Sequence, residues 1–318
     1  MPMGGHLRFR LTTRLPALAA MILRASTFAP TAHALSTACS ASKSPLAYTL
    51  IAKERLSPDS SLLRFSLPPP HTRLGDDPTL PTCIKVVHPF ATDASGAPAL
   101  VEKSYSPVSH PAAEGELELV VKAYPPAPGG GVGAYLCSLE PGEQIRATVK
   151  KPRAVHGHAA VARRWASLGL VAGGTGIAPL LQVVRIVLAD AADETRVRLL
   201  SVNRREEDCL MRAQLDALAA EHPERLQVAY SLTAPSQGWE GYTGRGDVEM
   251  IRKALPPSTK DGRTMIFVCG TDGFVATWGG PVGRAPNKPD GSVGEKVQGP
   301  LMGLLADAGY DASEVFKY

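Results

Sequence analysis

The stretch LGLVAGGTGIAP, residues 168–179, decides the fold class. Its apolar first half predicts a short buried strand, and Pro179 opens a following helix, where a proline costs nothing because the N–H it lacks would have no partner. Glycines between the two allow positive φ and remove the Cβ atoms that would block a close ligand. A helix N-terminus with free N–H groups is a natural seat for a diphosphate. The residues assigned to that seat are Gly173, Gly174, Thr175, Gly176 and Pro179.

Strands and helices alternate around and beyond this turn. Further apolar runs predict strands at 197–202, 226–232 and 265–268, and helical patterns occupy 180–188, 210–220 and 301–308. Such alternation is typical of a parallel sheet with helices on both faces. We therefore predict a doubly wound α/β nucleotide-binding domain over residues 166–318.

The preceding segment has a different texture. Short apolar runs separated by Pro- and Gly-rich breakers predict five strands, with one helix at 132–139; the runs are 48–51, 62–67, 83–87, 117–121 and 145–149. Evenly spaced short strands with little helix indicate a small antiparallel β-barrel. We place this domain at 44–155 and a linker at 156–165, which gives a two-domain chain.

The N-terminal segment 1–43 has the composition of a transit peptide. It is rich in Arg, Ser, Thr and Ala, and no Asp or Glu occurs before Glu54. This predicts delivery to mitochondria, with plastids as the alternative. A secretory signal is a further alternative, because residues 15–23 are apolar and Ala32-His33-Ala34 resembles a cleavage site. No transmembrane anchor is evident, since a span needs about 20 apolar residues.

Composition excludes several function classes. The net charge of +4 is concentrated in the N-terminal segment, so the remainder gives no case for nucleic-acid binding. The five cysteines form no CxxC pair, and no histidine stands at metal-ligand spacing from them. We therefore expect reduced thiols and no metal site.

The glycine-rich turn resembles the GGTGIxP motif of the ferredoxin reductase superfamily, specifically the NADH-cytochrome b5 reductase family in its mitochondrial type. The segment Lys103-Ser104-Tyr105-Ser106-Pro107 is similar to the Arg-x-Tyr-Ser/Thr motif of the same family. The resemblance implies bound FAD, with Lys103 on phosphate, Tyr105 against the isoalloxazine, and Ser106 as a catalytic residue near the reactive nitrogen. Lys103 stands where the family usually has arginine. A lysine supplies a positive charge but lacks the bidentate fork of a guanidinium.

The same resemblance implies roles for residues on both sides of the motif. In the flavin half they are Lys122, Tyr124 and the loop glycines Gly129, Gly130 and Gly133, the last in place of a usual serine. In the nucleotide half Asp208 favours NADH by repelling a 2′-phosphate, although Arg204 and Arg205 leave NADPH open.

At the carboxyl end of the chain, Cys269 and Gly270 lie beside the nicotinamide in the family, and the Cys269 thiol is catalytic by setting the ring geometry. Tyr318 covers the flavin, or alternatively ends a core strand. The family often continues after Cys-Gly with Pro-Pro, whereas this chain has Thr271-Asp272, and residues 281–289 resemble an inserted loop without an assigned role.

The implied function is transfer of a hydride from NADH to FAD and then of single electrons to a haem protein such as cytochrome b5, by a monomer. Two alternatives stay open. One is a mitochondrial flavoreductase that supports haem attachment to cytochrome c, which the unusual segment Thr271-Asp272-Gly273-Phe274 keeps open. The other is a degenerate flavin-fold protein with an assembly role, for which Lys103 and Gly133 are the support.

Overall fold

A computed structural model describes residues 44–93, 95–125, 131–287, 294 and 296–318. The expected transit peptide, the loop glycines Gly129 and Gly130, and part of the 281–289 loop lie outside the described residues. Among the residues described, no helix is long and apolar enough to cross a bilayer.

The first domain is one antiparallel sheet of six strands in the order β4-β3-β6-β1-β2-β5. Its elements are β1 (Leu46–Ser57), β2 (Ser60–Ser66), β3 (Ile84–His88), β4 (Val101–Tyr105), β5 (Glu116–Lys122), α1 (Val132–Ser138) and β6 (Gln144–Val149). Alternating residues fill its core, including Tyr48, Phe65, Leu119 and Ile145, and Leu136 of α1 packs against them. Because β4 and β5 are both edge strands in the described sheet, it is an open half-barrel and not a closed barrel.

Strand β4 was absent from the sequence prediction although it carries the Lys103–Tyr105 motif. Its sequence is VEKSY, with an exposed polar centre between Val101 and Tyr105. An edge strand buries too little surface to need the apolar alternation by which strands are recognised. Its pairing with β3, from Ile84–Tyr105 to His88–Val101, supplies the order that its own side chains do not indicate.

The second domain is a parallel sheet in the order β10-β9-β8-β7-β11-β14, and it confirms the doubly wound prediction. Its elements are β7 (Ser167–Gly173), α2 (Ile177–Ala189), β8 (Arg196–Asn203), α3 (Arg212–Glu221), β9 (Leu226–Leu232), β10 (Tyr242–Thr243), α4 (Val248–Ala254), β11 (Thr264–Cys269), α5 (Asp272–Gly279), β12 (Val282–Arg284), β13 (Lys296–Gln298), α6 (Gly303–Asp307) and β14 (Val315–Lys317). The chain builds outward from β7 in one direction through β10 and in the other through β11. The order therefore reverses between β7 and β11, where open α/β sheets bind ligands.

Helices α4 and α5 were also missed, because both are short and depend on capping side chains. The Asp247 carboxylate accepts a hydrogen bond from the Met250 N–H at 2.7 Å, and the Thr271 hydroxyl accepts one from the Phe274 N–H at 3.3 Å. Each bond satisfies an N–H that a helix start would otherwise leave unpaired.

The 281–289 loop contains the first strand of a hairpin, in which β12 pairs with β13. The buried Lys317 side chain fixes this hairpin to β14. Its ammonium donates to three backbone carbonyls, those of Pro281 (3.0 Å), Gly299 (2.8 Å) and Pro300 (3.0 Å). A buried cation with three acceptors is a satisfied one, so the hairpin base is a defined part of the fold.

Helix α2 is buried on nearly every side because both domains pack on it. Its core cluster contains Leu62, Val108 and Val120 of the first domain together with Leu168 and Leu170 of β7. This explains why residues 180–188 show no polar face. Helix α2 therefore packs against both domains.

Polar contacts fix the position of α2 against the first domain. The Gln182 carbonyl oxygen accepts from the Thr82 N–H at 2.7 Å, and the Gln182 amide donates to the Thr82 hydroxyl at 2.9 Å and to the Ser109 carbonyl at 3.3 Å. Arg185, one turn later, donates to the Val108 carbonyl at 2.7 Å. These bonds join α2 to the residues directly before β3 and directly after β4.

We expect Gln182→Leu to lower the free energy of unfolding by about 2 kcal/mol or more, because it leaves the buried Thr82 N–H and Ser109 carbonyl without partners. Denaturant unfolding measures the change. The same replacement at the exposed Gln227 is the control and should cost less than about 0.5 kcal/mol. Equal stability of the two variants would contradict the role given to Gln182.

Candidate functional site

The crevice between β7 and β11 brings the two predicted glycine motifs of the nucleotide half together. Gly174–Gly176 form one turn of 3-10 helix, with Gly174 at φ +53°, and α2 begins at Ile177. Pro179 is the third residue of α2, within the first turn, as expected for a residue whose missing N–H costs nothing. No acidic residue lies in that turn, so nothing there opposes an anion.

Gly176 lies against the end of β11. A Cβ atom on Gly176 would stand 2.1 Å from the carbonyl oxygen of Cys269. This contact admits only glycine, and it holds the α2 N-terminus beside the Cys269–Gly270 pair. The sequence indicated both motifs, and the fold shows the reason for their proximity.

Phe274 of α5 is a residue that the sequence analysis did not assign to the site. Cβ atoms placed on Gly173 and Gly270 would stand 2.7 Å and 2.6 Å from its ring. The aromatic ring therefore lies between the two glycines and forms one wall of the crevice. No spacing rule identifies such a residue, because the space for its ring exists only where two glycines, distant in sequence, lack a Cβ atom.

Cys269 and Tyr318 lie at the same end of the sheet. Burial raises the pKa of the Cys269 thiol to about 12, so the thiol is protonated at neutral pH, as expected for a residue that is not a nucleophile. The Tyr318 N–H donates to the Val268 carbonyl at 2.9 Å, and its ring packs on Phe267 with centroids 5.5 Å apart. The alternative that Tyr318 ends a core strand is thus confirmed, and its cover of the flavin stays a prediction.

The flavin half gathers three of its predicted residues at the end of β4. The Lys103 ammonium stands 5.9 Å from the centre of the Tyr105 ring and 5.4 Å from that of Tyr124. The Tyr105 hydroxyl is buried and has no hydrogen-bond partner among the described residues, and burial raises its pKa. A buried orphan hydroxyl beside a cation suits a phosphate- and ribityl-bearing group, so these residues fit FAD.

Ser106 and Pro107 follow directly after β4. Pro107 is buried, and the Ser106 hydroxyl lies near the Cys83 thiol, directly before β3. Burial raises the pKa of that thiol, so it too is neutral. The catalytic role of Ser106 stays a prediction.

One departure from the family motif, Gly133, has a physical explanation in the structure, and one predicted cofactor contact, Lys122, is engaged elsewhere. A Cβ on Gly133 would lie 2.3 Å from the Lys122 carbonyl oxygen, so α1 packs too closely on β5 to admit the usual serine. The Lys122 ammonium pairs with the Asp59 carboxylate at 2.8 Å. Its charge is therefore engaged within the protein, and its contact with a cofactor stays a prediction.

The predicted specificity residue Asp208 caps its own turn. One of its carboxylate oxygens accepts from the Arg205 N–H at 3.1 Å. Glu206, which was not singled out, lines a cleft of about 720 Å³ beside α3 and β9, where its carboxylate pairs with Arg212 at 3.3 Å and accepts from the Ser236 hydroxyl. Either carboxylate would oppose a 2′-phosphate at this edge, so the predicted preference for NADH over NADPH does not depend on Asp208 alone, and it stays a prediction.

The Gly244–Gly246 loop has a packing explanation. Both glycines have φ above +100°, and a Cβ on Gly246 would lie 2.3 Å from the Trp278 ring. Elsewhere in the described residues, no group of three or more His, Cys, Asp or Glu side chains is arranged to hold a metal ion.

We expect Gly176→Ala to lower the free energy of unfolding by about 1–3 kcal/mol, because the new methyl group overlaps the Cys269 carbonyl. It should also weaken dinucleotide binding at least tenfold, measured by titration with NADH. Gly273→Ala is the matched control, since a Cβ there meets nothing within 4 Å; it should leave stability unchanged or raise it slightly. A fully stable Gly176→Ala protein would mean that the crevice is wider than described.

Comparison with known proteins assigns the family. Residues 47–154 match the family described as "Oxidoreductase FAD-binding domain", and residues 170–278 match "Oxidoreductase NAD-binding domain". An NADH-cytochrome b5 reductase-like protein of Arabidopsis thaliana is 33% identical over 264 residues, which are 83% of this chain and 74% of that protein. NADH-cytochrome b5 reductase 2 of Homo sapiens is 34% identical over 246 residues, 72% of this chain and 86% of that protein.

A solved structure agrees with these matches. The crystal structure of the cytochrome b5 reductase domain of Ulva prolifera nitrate reductase has a TM-score of 0.62 and 29% identity, and covers 73% of this chain and 88% of that one. With an FAD-binding half-barrel, an NAD-binding parallel sheet and relatives of this identity and coverage, the chain is a flavin oxidoreductase that uses FAD and NADH, and it belongs to the NADH-cytochrome b5 reductase family.

Proposed function

We propose that the chain takes a hydride from NADH and delivers single electrons to a haem protein, with cytochrome b5 as the first candidate. One observation carries the proposal: Cys83 of the flavin half, which has Ser106 beside it, and Cys269 of the nicotinamide half both lie near the same half-buried side chain, Arg153. Two ring-binding sites around one crevice are what direct transfer between rings requires. The names of the relatives support the choice of acceptor.

The nucleotide half holds its substrate with backbone groups. The turn at Gly173–Gly176 and the first turn of α2 bind the diphosphate, while Phe274 closes one side of the crevice. Gly270 allows the nicotinamide to approach the end of β11. Because Gly176 sits against the Cys269 carbonyl, the phosphate seat and the nicotinamide seat are fixed relative to each other.

The flavin half holds its cofactor from the opposite direction. Bound FAD supplies the chemistry of taking two electrons together and releasing them singly. Lys103 offers the positive charge for phosphate, the Tyr105 hydroxyl finds a partner in the ribityl–phosphate portion, and Ser106 orients the reactive edge. Phe267, Phe316 and Tyr318 pack edge to face near Cys269 and keep water from that side.

Neither alternative function gains an observation of its own. The degenerate-fold alternative depended on Lys103 and Gly133. Lys103 keeps its charge at the flavin motif, and Gly133 is required by the packing of α1 on β5. Support of haem attachment to cytochrome c depended on the Thr271-Asp272-Gly273-Phe274 segment, which here caps and begins α5.

The test is reduction of purified haem proteins. The full chain should be yellow, release FAD on denaturation, and reduce ferricyanide with NADH. With NADH it should reduce ferric cytochrome b5 at least tenfold faster, in kcat/KM, than cytochrome c. A colourless protein that takes up no FAD contradicts the enzyme, whereas reversed acceptor preference contradicts only the choice of cytochrome b5.

We further propose that the chain acts in mitochondria as a monomer. The acid-free, arginine-rich composition of residues 1–43 supports the location, and the described exposed large apolar side chains, which are divided between the two domains, support the monomer. A fusion of residues 1–45 should carry a fluorescent reporter to mitochondria, and a reporter in plastids or in the secretory route would refute this. Light scattering of the purified chain should give a mass near 33.6 kDa or less.

A further inference from the structure

Arg153 lies in the connection between the two sheets, four residues after β6. Its guanidinium stands over two aromatic rings of the second domain, 4.8 Å from the centre of Phe316 and 5.6 Å from that of Tyr318. The side chain is half-buried. A residue of the connection between the two domains therefore contacts the C-terminal residues of the second domain.

The charge on this guanidinium has no internal partner. In the described ranges it forms no ion pair and no hydrogen bond, whereas Arg185 and Arg164 of the same region each donate to a backbone carbonyl. Burial lowers the pKa of Arg153, and the ionisable groups nearest to it are Tyr318, Cys269 and Cys83, all neutral at pH 7. Even a half-buried charge is costly when no described residue pairs with it, so its retention points to a compensating negative charge on a ligand.

The neighbours of Arg153 identify the ligand. Cys83 lies within reach of the Ser106 hydroxyl on the flavin side, and Cys269 ends the strand on the nicotinamide side. The guanidinium thus stands between the places assigned to the two reacting rings. Its aromatic neighbours hold it there without neutralising it.

Resting on the proposed function, we propose that Arg153 is an electrostatic determinant of the hydride step and that its charge favours transfer from NADH to the flavin. The hydride carries two electrons and one proton, so the nicotinamide becomes the cation of NAD⁺ while the isoalloxazine gains one negative charge. A fixed cation beside both rings stabilises the negative charge and destabilises the positive one. It also loosens NAD⁺ relative to NADH and so promotes product release.

The experiment compares the full-length FAD-loaded protein with three variants. Arg153→Met removes the charge and keeps an apolar stem over the rings, and Arg153→Lys keeps the charge. Arg164→Met is the matched control, because the Arg164 guanidinium also stands over an aromatic ring, 4.6 Å from Trp165, but is bonded to the Val155 carbonyl. The readouts are the two-electron midpoint potential of bound FAD, the dissociation constant of sulfite, which adds to flavin as an anion, and the ratio of NAD⁺ to NADH dissociation constants.

We expect Arg153→Met to weaken sulfite binding about tenfold and to lower the midpoint potential by about 30 mV, the equivalent of tenfold for a two-electron couple. The ratio of NAD⁺ to NADH dissociation constants should fall in the same variant. Arg153→Lys should retain most of each quantity, and Arg164→Met should match the unmodified protein. An unchanged potential and ratio in Arg153→Met would overturn the proposal. So would loss of FAD, or equal weakening of NAD⁺ and NADH, since either would make Arg153 a phosphate ligand.

Discussion

The position of α2 is the constraint on which the rest of the structure depends. One end of this helix is the predicted seat of the diphosphate, and its middle is fixed to the first domain through the Gln182 amide. The same rigid element therefore decides where the nucleotide lies and where the flavin sheet lies. Hydride transfer depends steeply on the distance between two rings, so a shared helix is a more precise device than two domains joined by a flexible linker.

The half-barrel follows from this arrangement. The edge strand β4 has little apolar character of its own, yet Tyr105 and Ser106 must be presented at a fixed height above the crevice. Hydrogen bonds between α2 and Thr82, before β3, and between α2 and Ser109, after β4, fix the position of this strand pair. An open edge, which would be a liability in an isolated sheet, here is the face on which the cofactor is expected.

The sequence predicted the architecture well where periodicity is strong. The strands around Leu119, Leu170 and Leu200 are buried and apolar, and the pattern alone predicts that they exist and where they lie along the chain. The residues of the glycine-rich turn were indicated by residue type, and the other motif residues by the resemblance to the NADH-cytochrome b5 reductase family. What pattern could not supply was contact between distant positions, such as Phe274 lying between Gly173 and Gly270, or Asp208 turning to cap its own backbone. Arg153 was invisible for the same reason, because a lone arginine in a basic loop has no signature until its neighbours are known.

Lys317 gives the inserted hairpin an unusual status. Its ammonium holds carbonyls from both arms of the hairpin base, while its own strand leads directly to Tyr318. The base of the hairpin is thereby fixed to the strand that immediately precedes Tyr318, so the position of the hairpin base and that of the tyrosine depend on the same side chain.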